Sequence, residues 1–286
     1  MIPALAPLRI RFEPRIPDAQ LTAQLAAALQ RRIPRLQPAP ARPEPLLICG
    51  GGPSLARDLG QIAALAAAGA RILAINEVPE YLRRQGIHPW AAIHLGPVEL
   101  TTACIGTPIP GVTYFVASIC PASSFDRLEQ DGARTVMWHP ETGTPEADAL
   151  LAREDSPTIS GGFTAGLRAL GVGWQIGFRQ FHLFGLDSST RLNGLHIYSS
   201  VSDGVEEHRM PVFCDGDWHD TIPELAGQTQ EFIPLFATFR ARGAGISVHG
   251  DGLLPAVAAH LTGGRTAPER LVASSGPHAT VAALRF

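Results

Sequence analysis

The chain reads as an α/β protein, a mainly parallel sheet with helices on both faces, on three observations. Short apolar runs alternate with longer amphipathic stretches from residue 46 onward, and strands separated by helical segments predict parallel pairing. The run Leu46-Leu47-Ile48-Cys49 passes straight into Gly50-Gly51-Gly52-Pro53-Ser54-Leu55, a buried strand entering a glycine turn that opens a helix. With 286 residues, 45% of them hydrophobic and 17% charged, the chain has the length and apolar content to bury a sizeable core.

Residues 1–45 read as an N-terminal arm. Leu21, Leu25 and Leu29 recur on one face and predict a helix over 18–32, followed by a stiff linker with prolines at 34, 38, 40, 43 and 45. The sequence leaves open whether this helix docks on the core or on another subunit. Residues 46–286 form one domain. Strands are expected at 46–49, 71–76, 91–95, 112–117, 134–138, 180–185 and 244–249. Helices are expected at 55–68, 79–86, 123–130, 145–153, 162–177, 222–242 and 254–262. Residues 186–220 break the rhythm, being polar and rich in glycine and aspartate, and read as an inserted loop or hairpin segment. In such sheets ligands bind beyond the C-terminal strand ends, near the switch point.

A net charge of −3 argues against a nucleic-acid binder. The local basic run Arg9, Arg11, Arg15, Arg31, Arg32 and Arg35 reads as a solvated tail. Cys49, Cys104, Cys120 and Cys214 are far apart and form no Cys-x-x-Cys pair, which points to reduced core thiols. No signal peptide or membrane span is evident, so a soluble cytoplasmic protein is expected.

The glycine turn has several readings. Glycines let the backbone adopt positive φ and let an anion approach main-chain N–H groups, while a helix N-terminus attracts phosphate. A kinase-type P-loop fails for want of a lysine. A dinucleotide fingerprint lacks its third glycine, since Leu55 stands there, although Glu77 supplies a ribose-binding acid. A tight turn with no ligand is the bland alternative.

The turn, Ile75-Asn76, the run Gly161-Gly162-Phe163-Thr164-Ala165-Gly166-Leu167-Arg168-Ala169-Leu170, Phe184-Gly185-Leu186-Asp187-Ser188-Ser189, His196-Ile197-Tyr198 and His249-Gly250-Asp251-Gly252 occur in this order over residues 46–255. Together they resemble the 6-hydroxymethylpterin diphosphokinase MptE-like family. The set is more distantly similar to bacterial CMP-sialic-acid sialyltransferases and to flagellin-modifying motility accessory factors. The resemblance implies a Rossmann-like fold that holds a nucleotide, with Gly50, Gly51, Gly52, Pro53 and Ser54 cradling its phosphates. It places Asn76 at the nucleotide, and Gly161, Gly162 and Thr164 at a second anion or base contact. It makes Asp187 the Mg²⁺ ligand or general base, Ser188 a lining residue, and His196 and Tyr198 proton-transfer groups near the acceptor. Several have a structural alternative: Ser54 as a helix N-cap, Asn76 as a turn former, the Gly161-Gly162 pair as a packing device, and Asp187 as a turn cap.

One departure stands out. Family members commonly carry an aspartate after the third strand, in the form Leu-Asp-Ala, where this chain reads Ala92-Ile93-His94-Leu95. Either the acid is lost or His94 and Glu99 replace it. Asp215-Gly216-Asp217 matches a metal-binding Asp-x-Asp but reads better as a hairpin turn, with His219 and Asp220 beside it. His139 and Asp251 end strands, where structural roles are common. Trp174, Phe178, Phe181, Phe184, Phe232, Phe236 and Phe239 read as core, and Gln228 and Glu231 as the polar side of their helix.

The expected function is nucleotide-dependent group transfer, in its concrete form diphosphoryl transfer from ATP, with Mg²⁺, to a hydroxymethylpterin-type alcohol. The alternatives are a glycosyltransferase using a nucleotide sugar and a non-catalytic nucleotide-binding protein. The partners expected are a nucleotide and an acceptor alcohol or sugar, and a homo-oligomer stays open.

Overall fold

The computed structural model describes residues 16–189, 210–214 and 216–263, together with the backbone of 5–7 and 272–274. The seven expected strands all form: β2 Leu46–Cys49, β3 Arg71–Ile75, β4 Ala91–His94, β5 Thr113–Ala117, β6 Arg134–Pro140, β8 Gln180–Phe184 and β11 Gly245–Val248. With β7 (Thr158–Ile159) they build an eight-stranded sheet of order β11-β8-β2-β3-β4-β5-β6-β7. Every pairing in it is parallel. The eight expected helices also form, their ends shifted by three residues or fewer: α1 Asp18–Leu29, α2 Leu55–Ala67, α3 Val78–Arg84, α5 Ala122–Gln130, α6 Pro145–Leu151, α7 Ala165–Gln175, α8 Pro223–Ala241 and α9 Leu253–Thr262. The short α4 (Leu100–Ile105) and the two-residue β7 were not expected, since neither is long enough to show a period.

Strand alternation sends successive residues to opposite faces. Leu47 and Cys49 of β2 join Ile72, Ala74 and Phe184 beneath α2 and α3. Leu46 and Ile48 join Leu73, Leu183 and Phe232 in the larger core on the other face. Helices therefore cover both faces, as a parallel sheet requires.

The N-terminal helix docks on the core, which settles the question the sequence left open. Leu25 is fully buried against Ala147 and Leu151 of α6. Gln24 Nε2 donates to the carbonyls of Pro97 (3.1 Å) and Ile119 (3.0 Å). Further along, the Leu36 N–H donates to Met137 O (2.7 Å) and the Met137 N–H to Pro34 O (2.8 Å), so this segment runs beside β6. Arg35 is no solvated tail residue: its guanidinium binds the carbonyls of Leu29, Arg31 and Ile33, and Glu154. Those carbonyls include ones that a helix C-terminus leaves unpaired.

A second, four-stranded antiparallel sheet has the order β1-β12-β9-β10, from β1 Leu5–Pro7, β9 Met210–Cys214, β10 Asp217–Thr221 and β12 Val272–Ser274. Cys214 pairs with Asp217, and Gly216 takes φ 98° between β9 and β10. This is the hairpin expected at Asp-Gly. Among the described residues no helix is long and apolar enough to cross a membrane.

Candidate functional site

The sheet reverses its order at β2, which has β3 on one side and β8 on the other. Crossovers diverge there, so the C-terminal ends of β2 and β8 form the switch point. The Gly50 N–H donates to Phe184 O and the Gly52 N–H to Gly185 O, both at 2.8 Å. A Cβ on Gly50 would lie 2.6 Å from Leu186 Cδ2, and one on Gly52 2.7 Å from Asp187 Oδ2. The glycines thus let the turn press against the segment after β8.

At the start of α2 the Ser54 N–H donates to Asp187 Oδ2 (2.7 Å) and Ser54 Oγ to Asp187 Oδ1 (2.6 Å). Both residues are buried, at 0% and 4% exposure. The anion at this helix N-terminus is the protein's own carboxylate, favoured there by the helix dipole and the free N–H groups. Ser54 makes no side-chain cap to its helix, because its hydroxyl is committed to Asp187. The loop after β11 completes the enclosure: a Cβ on Gly250 would meet Asp187 Oδ1 and Ser54 Oγ at 2.7 Å, and one on Gly252 would collide with the Asp187 carbonyl oxygen. Ser188 faces inward too, its Oγ accepting from Gln228 Nε2 (2.9 Å) and its carbonyl from Thr221 Oγ1 (2.8 Å).

Beyond the C-terminal ends of β3 to β6 lies an open cleft of about 320 Å³. Asn76 lines it from the end of β3, in the left-handed region at φ 52°. Thr164 lines it as the N-cap of α7, its Oγ1 accepting from the Leu167 N–H at 3.3 Å. Gly161 (φ 94°) and Gly162 (φ 81°) lead into that cap. A Cβ there would meet Leu235 at 2.7 Å and Leu167 at 2.5 Å, so close packing as well as φ requires glycine. Thr101, Cys104, Thr142, Arg168, Glu141 and Glu224 also line the cleft. Burial and the neighbouring Glu77 carboxylate push the Cys104 thiol up, keeping it protonated.

The two groups of sequence-predicted residues therefore separate. Asn76 and Thr164 share the cleft, whereas Gly50, Gly52, Ser54, Asp187 and Ser188 form the packed switch-point wall. Each Asp187 oxygen accepts one hydrogen bond from Ser54. Among the described residues no group of three or more His, Cys, Asp or Glu is placed to hold a metal ion. His196, Tyr198 and Asp215 lie outside the described residues.

Neither proposed replacement for the missing acid reaches the cleft. His94 is fully buried, stacked on Tyr114 with ring centroids 6.0 Å apart, and burial lowers its pKa to about 3. Glu99 accepts from Ser123 Oγ (2.6 Å) at an exposed site. His139 is likewise buried and lowered to about 4, chiefly by desolvation. Asp251 forms a bidentate pair with Arg57 (2.7 and 2.9 Å).

Two residues left without a role by sequence reasoning matter here. Glu231 accepts the Phe163 N–H (2.9 Å) and so braces the loop before α7, while Gln228 holds Ser188. Both lie on α8, and their partners are on segments no local pattern links to it.

A parallel sheet with its reversal at β2, a cleft along the C-terminal strand ends and a glycine-led helix N-terminus define a Rossmann-like protein. The family described as 6-hydroxymethylpterin diphosphokinase MptE-like matches residues 19–192, and the chain belongs to that family. Among solved structures, it is similar to a MAf glycosyltransferase from Magnetospirillum magneticum AMB-1, at 15% identity and a TM-score of 0.59. The match covers 86% of this chain but 39% of that one, so this chain spans about two-fifths of its length. No curated protein matches the chain.

Proposed function

We propose that the protein transfers a group from a nucleotide donor bound in the cleft between Asn76 and the N-terminus of α7. The observation that carries this reading is the convergence of Asn76 and Thr164, from separate crossovers, on one cleft at the C-terminal strand ends. Thr164 and the first turn of α7 supply N–H groups and a favourable dipole for phosphate, a role the α2 N-terminus has already given to Asp187. Asn76, at a strand end, offers an amide to a ribose or base edge. The glycine turn and Asp187 shape the wall behind the donor.

Family membership favours diphosphoryl transfer from ATP to a hydroxymethylpterin-type alcohol. Mg²⁺ would enter with the phosphates of ATP, since Mg²⁺ is commonly held by one or two carboxylates plus substrate phosphates. Acceleration would come mainly from positioning and charge neutralisation. The MAf glycosyltransferase favours a second reading, glycosyl transfer from a nucleotide sugar within the same cleft.

Thermal stability against ATP, GTP, CTP, CMP, UDP-sugars and FAD, with and without Mg²⁺, tests the reading. A ligand at about one hundred times its dissociation constant adds about 2.7 kcal/mol, a visible shift in Tm. AMP release from ATP in the presence of a hydroxymethylpterin identifies diphosphoryl transfer, and release of a nucleotide from a sugar donor identifies the second reading. No shift with any nucleotide overturns both.

A further inference from the structure

Arg168 occupies an electrostatically unfavourable place. It is the fourth residue of α7, near the positive end of the helix dipole, where a cation is disfavoured. It is only 9% exposed, and burying a charge without a partner is costly. Its guanidinium donates to two neutral acceptors, Ile159 O and Glu141 O (3.0 Å), while its Nε has no hydrogen-bond partner. Among the described residues no carboxylate forms a direct ion pair with it. Glu231 takes the Phe163 N–H, and Asp148 takes the Thr142 N–H, Thr142 Oγ1 and the Gly143 N–H. The Glu141 side chain is exposed. Burial lowers the Arg168 pKa, with those three carboxylates pulling the other way without a direct ion pair.

Arg168 nonetheless forms part of the cleft wall, beside Thr164 and the first turn of α7. We infer that Arg168 and the α7 N-terminus together form an oxyanion subsite that takes the phosphate chain of the donor, with the arginine supplying a fixed positive charge. A phosphate there relieves both penalties at once, because it pairs the buried cation and accepts from the helix N–H groups. This deepens the transferase reading and rests on it for the identity of the donor. The charge on the chain itself makes binding of the bare phosphate group independent of metal.

The test is calorimetric titration of inorganic pyrophosphate into the full chain in EDTA, for wild type, R168Q and R168K, with ATP and CDP titrated in parallel. The expected result is one pyrophosphate per chain, at least tenfold weaker binding in R168Q, and intermediate affinity in R168K. A merely structural staple would lower the Tm of both variants and leave pyrophosphate affinity equal in the folded fraction, which overturns the inference. Absence of pyrophosphate binding to wild type overturns it as well. Should R168Q not fold, R168K decides: retained binding supports the charge role, and a folded R168K without binding overturns it. Nucleotide binding that is equal in wild type and R168Q removes the subsite but keeps the transferase reading. Pyrophosphate binding that depends on Arg168, without any nucleotide binding, keeps the subsite and removes that reading.

Discussion

The Asp187 carboxylate receives two hydrogen bonds from a single residue, the N–H and the hydroxyl of Ser54, across 133 positions of sequence. This pair joins the end of β8 to the start of α2. The Ser54 N–H at the start of α2 is therefore engaged by a carboxylate of the fold itself.

Replacing Asp187 by alanine leaves the Ser54 N–H and hydroxyl without their acceptor in a buried joint. Hydrogen bonds to a charged group contribute about 1.5–3 kcal/mol each, so D187A should lower stability by about 3 kcal/mol or more. Urea denaturation measures this, and an unchanged midpoint would show that the joint contributes nothing.

The glycines of the joint and of the helix surface should respond oppositely. G250A places a Cβ against Asp187 and Ser54 at a residue with φ 108°, and should destabilise by about 2 kcal/mol or more. G60A, in α2 with nothing within 4 Å of the added Cβ, should stabilise by about 0.5–1 kcal/mol. Thermal melts of the two variants read the contrast directly.

Nucleotide affinity should follow α7 rather than α2. T164V removes the N-cap acceptor for the Leu167 N–H and should cost about 1 kcal/mol of stability. It should also weaken nucleotide binding severalfold. S54A should destabilise by about 1.5–3 kcal/mol, the hydroxyl's bond to Asp187, while leaving nucleotide affinity within about twofold. The reverse pattern in a binding titration would return the phosphate to the glycine turn.

The buried imidazoles predict a pH dependence. His94 is held down to about 3 and His139 to about 4, while an unfolded histidine titrates near about 6.5. Between those values the unfolded chain binds more protons than the native one, so stability rises with pH there and falls on acidification from about pH 6.5. Each histidine contributes at most about 1.4 kcal/mol per pH unit. H94F, which keeps an aromatic ring against Tyr114, should flatten the slope between about pH 5.5 and 4.5 by about 0.9 proton, as measured by urea unfolding at each pH. An identical slope would mean that His94 is not held neutral.

Much of the fold was legible because its signals are local. Continuous apolar runs such as Leu46–Cys49 and Thr113–Ala117 mark strands buried on both faces. The Leu21, Leu25, Leu29 spacing marks a helix, and Asp-Gly marks a hairpin. β7 and α4 escaped because two and six residues carry no period. The glycine turn was legible as a turn, but the partner of its helix N-terminus was not.

The sequence by itself determined the alternation of strands and helices, the family, and the positions where the backbone must be glycine-like. Those depend on neighbours a few residues apart, through φ and side-chain periodicity. Only the tertiary structure decided that Asp187 meets Ser54 at the α2 N-terminus, that Asn76 and Thr164 face one cleft, and that Arg168 is buried without a direct ion pair. Each of these is a juxtaposition made by strand order. The chain returns from β7 to lay β8 beside β2, and no local preference of the residues encodes which side of β2 the returning strand will take.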